Sequence, residues 1–196
     1  PQAKDDHERA TICQAISALA AEKGNTALSH EFAQKSVKYQ PNLYMARYLL
    51  GKAYMELGRY GDAEAEFRKS IEFKKDFAPS HFELGNALYK KFQYDGAIRE
   101  YLEAIRLDPA HYEAMNNIAT ISVDQRNFIN AEKYLQNAVK ANPAFALAYK
   151  NLAILYETRL NNKALAIEYY SKYLNMMPNA PDRGRIKSWL RWLGGK

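Results

Sequence analysis

The chain of 196 residues contains one cysteine, Cys13, so an internal disulfide framework is excluded and the redox compartment is left open. Cys13 falls on the inner face of the first helical segment and reads as small core. The mean hydropathy is −0.53 and no long apolar run occurs, so a transmembrane helix and direct membrane insertion are not expected. The nine glycines are scattered and form no phosphate-cradling loop. The four histidines, His7, His30, His81 and His111, show neither metal-ligand spacing nor a nucleophile partner. No metal and no other cofactor is therefore expected. Carboxylates such as Glu64, Glu66, Glu100 and Glu103 are interleaved with Lys and Arg, as on a solvated helix face. Together these absences point away from an enzyme. No signal peptide is visible, and the chain begins at Pro1. The expectation is that the numbering starts inside a longer gene product, which leaves room for an upstream signal or anchor. The compartment is then cytoplasmic by default, and periplasmic or membrane-associated if such a segment existed.

What the sequence does have is a period of 34 residues. Leu50-Gly51, Leu84-Gly85, Ile118-Ala119 and Leu152-Ala153 form one ladder. Ala63, Ala97, Ala131 and Ala166 form a second, and Phe67, Tyr101, Leu135 and Tyr170 a third, each with one step of 35 at the end. Pro41, Lys75, Pro109, Pro143 and Pro178 close the units. A period in this range marks a solenoid, in which each unit buries its apolar face only against its neighbours.

The order within a unit resembles the tetratricopeptide repeat, and residues 78–111 show it best: Leu84, Gly85 and Leu88 precede Ala97, Tyr101, Ala104 and Pro109. The resemblance covers about residues 10 to 180 and implies an all-α fold, a right-handed α-solenoid of antiparallel helix pairs A and B. The spacing carries the same reading. Leu84 and Leu88 lie on one helix face, and Ala97, Tyr101 and Ala104 follow at i, i+4 and i+7. Gly85 and Ala97 are small where helices A and B must approach, since side-chain size sets interaxial distance. Pro109 lacks an N–H and biases Asp108 away from helix, so helix B stops there.

Five units follow from the phase: 10–43, 44–77, 78–111, 112–145 and 146–180, after an N-terminal extension or helix start over 1–9. The first carries smaller residues (Ile16, Ser17, Ala20, Ser29, Ala33, Ser36) and keeps phase through Pro41. The fifth has one extra residue near Arg159 to Lys163, and Tyr173 stands where a small residue is expected. Residues 181–196 read as a capping helix, with Ile186, Trp189, Leu190 and Leu193 in one stripe and Arg183, Lys187 and Arg191 off it. A basic amphipathic helix for a membrane surface is the alternative for this segment. Self-association through the solenoid ends is a further expectation.

The net charge is +6, but it is not spread along the repeats. Residues 1–145 are nearly neutral, and the excess lies beyond 146, above all in Arg183, Arg185, Lys187, Arg191 and Lys196. A phosphate-binding surface carries a continuous cationic stripe, so no nucleic acid partner is expected. Eight of the fifteen tyrosines (Tyr54, Tyr60, Tyr94, Tyr101, Tyr149, Tyr156, Tyr170 and Tyr173) recur at repeat positions and read as packing rather than base-stacking platforms.

What the resemblance implies about function is protein or peptide binding on the A-helix faces that line a groove. Counted from Tyr44, Ala78, Tyr112 and Ala146, the groove offsets hold Met45, Tyr48, Leu49, Lys52 and Met55, then Phe82, Glu83, Asn86 and Tyr89. The later units add Asn116, Asn117, Thr120 and Val123, then Lys150, Asn151 and Ile154. Amide side chains both donate and accept, so Asn86, Asn117 and Asn151 suit a peptide backbone. Tyr48, Phe82 and Tyr89 suit side-chain anchors. Asn117 and Asn151 share one offset, similar to the asparagine ladder of O-linked GlcNAc transferase arrays. Chaperone-binding members clamp a terminal carboxylate with paired cations and amides. Asn86 and Asn117 match the amides, but Phe82, Leu147 and Asn151 replace the cations, so that mode is excluded. The reading is an assembly or adaptor scaffold. The alternative is a substrate-recognition region of a larger enzyme or envelope assembly machine.

Overall fold

The computed structural model describes residues 2–192, which form eleven helices and, among the described residues, no strand. They are α1 (Gln2–Glu22), α2 (Thr26–Tyr39), α3 (Tyr44–Glu56), α4 (Tyr60–Phe73), α5 (Ala78–Lys90) and α6 (Tyr94–Leu107), then α7 (Tyr112–Asp124), α8 (Phe128–Ala141), α9 (Ala146–Thr158), α10 (Lys163–Met176) and α11 (Arg183–Trp192). They fall into two compact units, divided between Asp108 and Pro109. The first holds the antiparallel pairs α1/α2, α3/α4 and α5/α6, and the second holds α7/α8, α9/α10 and α11.

Each A helix is ended by one residue in the left-handed region. Those residues are Gly24 (φ 69), Gly58 (φ 71), Phe92 (φ 60), Arg126 (φ 58) and Asn161 (φ 48), a further ladder of the same period. The next N–H reaches back around the turn: Arg59 N–H donates to Tyr54 O at 2.9 Å and Gln93 N–H to Leu88 O at 2.9 Å. This is the hydrogen-bond pattern that satisfies the last carbonyls of a helix. In the first, fourth and fifth turns the residue after the left-handed one is an asparagine that starts helix B. Asn25, Asn127 and Asn162 accept from the N–H groups of Leu28, Asn130 and Leu165. The B helices end on extended residues, with Asp108 at φ −131 and Lys74 at φ −146. Lys74 precedes Lys75 rather than a proline, so the stop does not depend on the missing N–H alone.

The inner seam is set by small residues facing rings. A Cβ on Gly51 would lie 2.6 Å from Phe67, and one on Gly85 would lie 2.6 Å from Tyr101. The close contact of Gly85 is therefore Tyr101 on α6, not Ala97; Ala97 is buried in the same helix, one turn earlier. Cys13 is buried, as small core. Leu49, placed by its offset on the groove, is instead buried in a cluster with Ala33 and Leu50.

At the C-terminal end Tyr173 is buried and its hydroxyl donates to Asp182 at 3.0 Å. Ile186 and Leu190 of α11 are buried with Tyr170, Tyr173 and Leu174, and Trp189 meets Tyr170 edge-on at 5.1 Å. Leu193 lies outside the described residues.

Candidate peptide-binding surface

Six of the eleven candidate residues stand on α3 and α5 in the first unit, and five on α7 and α9 in the second. On α3, Tyr48 is half-buried. Its ring packs on Phe77 at 5.3 Å and Phe67 at 6.1 Å, and the Lys52 ammonium sits 5.7 Å over it. Burial, with the charge of Glu83 adding to it, pushes the Tyr48 phenol well above the ordinary tyrosine value. The hydroxyl therefore keeps its proton across the physiological range. Met55, one turn from Lys52, is half-buried beside them.

On α5 the side chains are already organised by α6. Phe82 packs on Tyr101 at 5.8 Å, and the Tyr101 hydroxyl donates to Asn86 Oδ1 at 2.8 Å. The Asn86 amide in turn donates to Glu83 at 3.0 Å. Asn86 is thus held in one orientation between a ring hydroxyl and a carboxylate. Tyr89 packs on Tyr94 at 5.7 Å, and Phe92 meets Tyr94 at 6.3 Å. Phe92 was not among the sequence candidates, yet it is 77% exposed. The signal for it is the 34-residue register, which puts Phe92 where Gly58 stands.

In the second unit two candidates are engaged by neighbouring side chains. Asn116 is only 5% exposed and accepts a hydrogen bond at 2.8 Å from the Asn151 amide. Its Oδ1 is thus used by the neighbouring helix, and the residue lies beneath Asn151 with little surface of its own. Lys150 is drawn to the cap: its ammonium lies 2.5 Å from Asp182 and 5.5 Å from the Tyr173 ring. That contact, together with the Tyr173 hydroxyl, holds the Asp182 carboxyl below its ordinary value. Lys150 joins α9 to the start of α11.

Asn151 and Ile154 share a pocket of about 140 Å³ between α7 and α9. Buried Ala119, Leu135 and Leu155 contribute to its apolar wall, while Thr120, Val123, Asn151 and Ile154 line it with partly accessible side chains. Asp124 and Arg159 add one charge of each sign. Cofactor-sized clefts run to roughly 300–1,000 Å³, so this one suits a single side chain. Asn117 is half-buried on the same helix and is not among the residues of that pocket. Asp124 and Arg159 were not sequence candidates, since each lies at a helix end whose position depends on the following turn.

No helix among the described residues is long and apolar enough to cross a membrane. Residues 51–91 match a TPR repeat family model, residues 78–111 a tetratricopeptide repeat model and residues 117–183 another. The chain is 25% identical over 135 residues to the type IV pilus assembly protein PilF of Pseudomonas aeruginosa, covering 68% of this chain and 53% of that protein. It is 26% identical over 145 residues to the protein O-mannosyl-transferase TMTC1 of Mus musculus, covering 72% of this chain and 15% of that one. The chain thus spans about half or less of the length of these relatives. The solved structure of PilW, described as a type IV pilus biogenesis factor, superposes with a TM-score of 0.82 at 21% identity, over 94% of this chain and 86% of that one. That likeness concerns the fold. The matched segments together run from within α3 to the start of α11, and the chain belongs to the tetratricopeptide repeat family.

Proposed function

We propose that this protein, built as a protein-interaction scaffold like others of its family, binds an extended segment of a partner along its A helices and serves as an assembly adaptor. The observation that carries the reading is the pocket on α7 and α9, apolar within and with the Asn151 amide at its wall. An apolar side chain of the ligand fills it. One N–H of the Asn151 Nδ2 donates to Asn116 and fixes the amide's orientation, and its Oδ1 accepts a ligand backbone N–H. The first unit has a candidate surface of its own on α3 and α5, where the Lys52 ammonium sits over the Tyr48 ring and Asn86 is oriented by Tyr101 and Glu83. An assembly role agrees with the names of PilF and PilW. The second reading, a recognition region within a larger enzyme, draws on the match to a protein named as a transferase, of which this chain spans 15%.

Selection of peptides from a displayed library tests the reading. Binders should share an apolar residue at one fixed position. Thr120→Trp, which fills the pocket, should abolish their binding, and Asn151→Ala should weaken it roughly two- to twelvefold, the worth of one hydrogen bond. Binders indifferent to Thr120→Trp would overturn it.

A further inference from the structure

The segment between α10 and α11 does something the groove reading does not use. A cleft of about 800 Å³ runs between these helices, with Leu174, Pro178 and Leu190 as its apolar lining and Arg183, Lys187 and Arg191 along one side. The three cations follow one another at i, i+4 and i+8 on α11. Among the described residues none of them forms an ion pair, as is true also of Arg99, Arg126 and Arg159; what distinguishes the three is their succession along one cleft. Asp182, just before α11, is taken by Lys150 and Tyr173, and Glu168 on α10 by Lys172.

Helix capping accounts for part of this. The Arg183 guanidinium reaches the Leu174 carbonyl at 3.4 Å, where a cation complements the C-terminal end of α10. It does not account for Lys187 and Arg191, which stand about 6 and about 12 Å farther along the axis. Among the described residues Arg191 has a hydrogen bond only to Ser188 of its own helix.

We propose that this cleft docks an extended acidic segment of a partner protein that carries carboxylates on alternate residues. Successive side chains on one face of an extended strand are about 6.6–6.8 Å apart, close to the roughly 6 Å rise between the three cations. Three alternating carboxylates thus stay in register with three cations, while the residues between them face the apolar lining. Asn175 adds an amide at the same cleft. The concave form favours a chain segment over a flat lipid surface. The confinement of the charge to one helix disfavours a nucleic acid, which needs a longer cationic track.

The test uses the full chain and a fluorescein-labelled peptide of alternating Glu and Ala, read by fluorescence anisotropy at low and at physiological ionic strength. The same peptide with Gln for Glu, anionic phosphatidylserine vesicles and a single-stranded oligonucleotide serve as competing probes. The alternating Glu peptide should bind, more weakly as salt rises, and the Gln peptide should not. Arg183→Gln/Lys187→Gln/Arg191→Gln should lower affinity roughly tenfold. Lys133→Gln/Lys163→Gln/Arg185→Gln, equal in charge but outside the cleft, should change it less than about twofold. Lys187→Gln alone, at an exposed site, gives a reading should the triple variant not fold. Asn151→Ala should leave this binding unchanged, which separates the cleft from the groove. Equal losses in the two triple variants, binding of the Gln peptide, or binding of vesicles or oligonucleotide without the Glu peptide would each overturn the proposal.

Discussion

A methyl group on Gly85 would stand 2.6 Å from Tyr101 Cε1 and 2.7 Å from Cδ1, well inside carbon–carbon contact. Tyr101 cannot yield easily, because its ring is buried against Phe82 and its hydroxyl is tied to Asn86. Gly85→Ala should therefore destabilise the protein by about 1–3 kcal/mol, as overpacking does. Gly61, with nothing within 4 Å of its added Cβ, is the control, and Gly61→Ala should not lower the urea midpoint. A second site runs the other way. Phe92 holds φ 60 with its side chain mostly in water, and a non-glycine residue in that region costs about 1–2 kcal/mol. Part of this returns as the greater unfolded-state freedom of glycine. Phe92→Gly should thus stabilise by about 0.5–1 kcal/mol, whereas Phe92→Val, β-branched at positive φ, should destabilise. Small residues at 34-residue intervals could be read from the sequence because each must clear a neighbour at every turn of the array. Their partners could not. Spacing assigns Gly85 and Ala97 to faces, but which atom fills the gap depends on how α5 and α6 cross. The burial of Asn116 was hidden for the same reason: its offset also holds Tyr48, Phe82 and Lys150, and its contact with the Asn151 amide depends on the neighbouring helix.

Helix pairs are locked by contacts that no local spacing announces. His81 on α5 lies 2.8 Å from Glu100 on α6 and 3.1 Å from the Lys75 carbonyl. Burial opposes charge on the imidazole, but these two partners overcome it and the pKa is raised. A raised folded value means the charged imidazole binds its proton more tightly in the folded state. That stabilisation is complete below the unfolded value of about 6.5 and is lost as pH rises through the folded value. The stability difference between wild type and His81→Gln should therefore shrink as pH increases from about 6 upward. Urea titrations over that range measure it, and a difference constant with pH would mean that Glu100 does not hold the proton. Lys150 and Asp182 pose the same problem for the reader of the sequence. They lie on different elements, and a lysine on a groove offset gives no sign that a cap carboxylate will claim it. The helices themselves were legible from the ladders. The pairings across them depend on side chains brought together by folding.

At the scale of the molecule, a repeat array holds together through nearest neighbours, so removing one end should be felt mainly next to it. The last pair, α9 and α10, is covered by α11: Ile186 and Leu190 bury Tyr170, Tyr173 and Leu174, and Asp182 engages both Lys150 and Tyr173. Deleting residues 182–196 would uncover that apolar end and leave Lys150 without its carboxylate. The truncated chain should self-associate at concentrations where the intact chain does not, since a contiguous apolar face is exposed. Its amide exchange should rise most in α9 and α10 and little in α3 to α6, whose unit has its own buried centre in Leu50, Phe67, Leu84 and Tyr101. Hydrogen exchange resolved by mass spectrometry compares the two chains directly. Increased exchange confined to α9 and α10 would identify α11 as a local seal on one repeat. An equal rise throughout would show that the array unfolds as one cooperative body, with the cap stabilising every repeat.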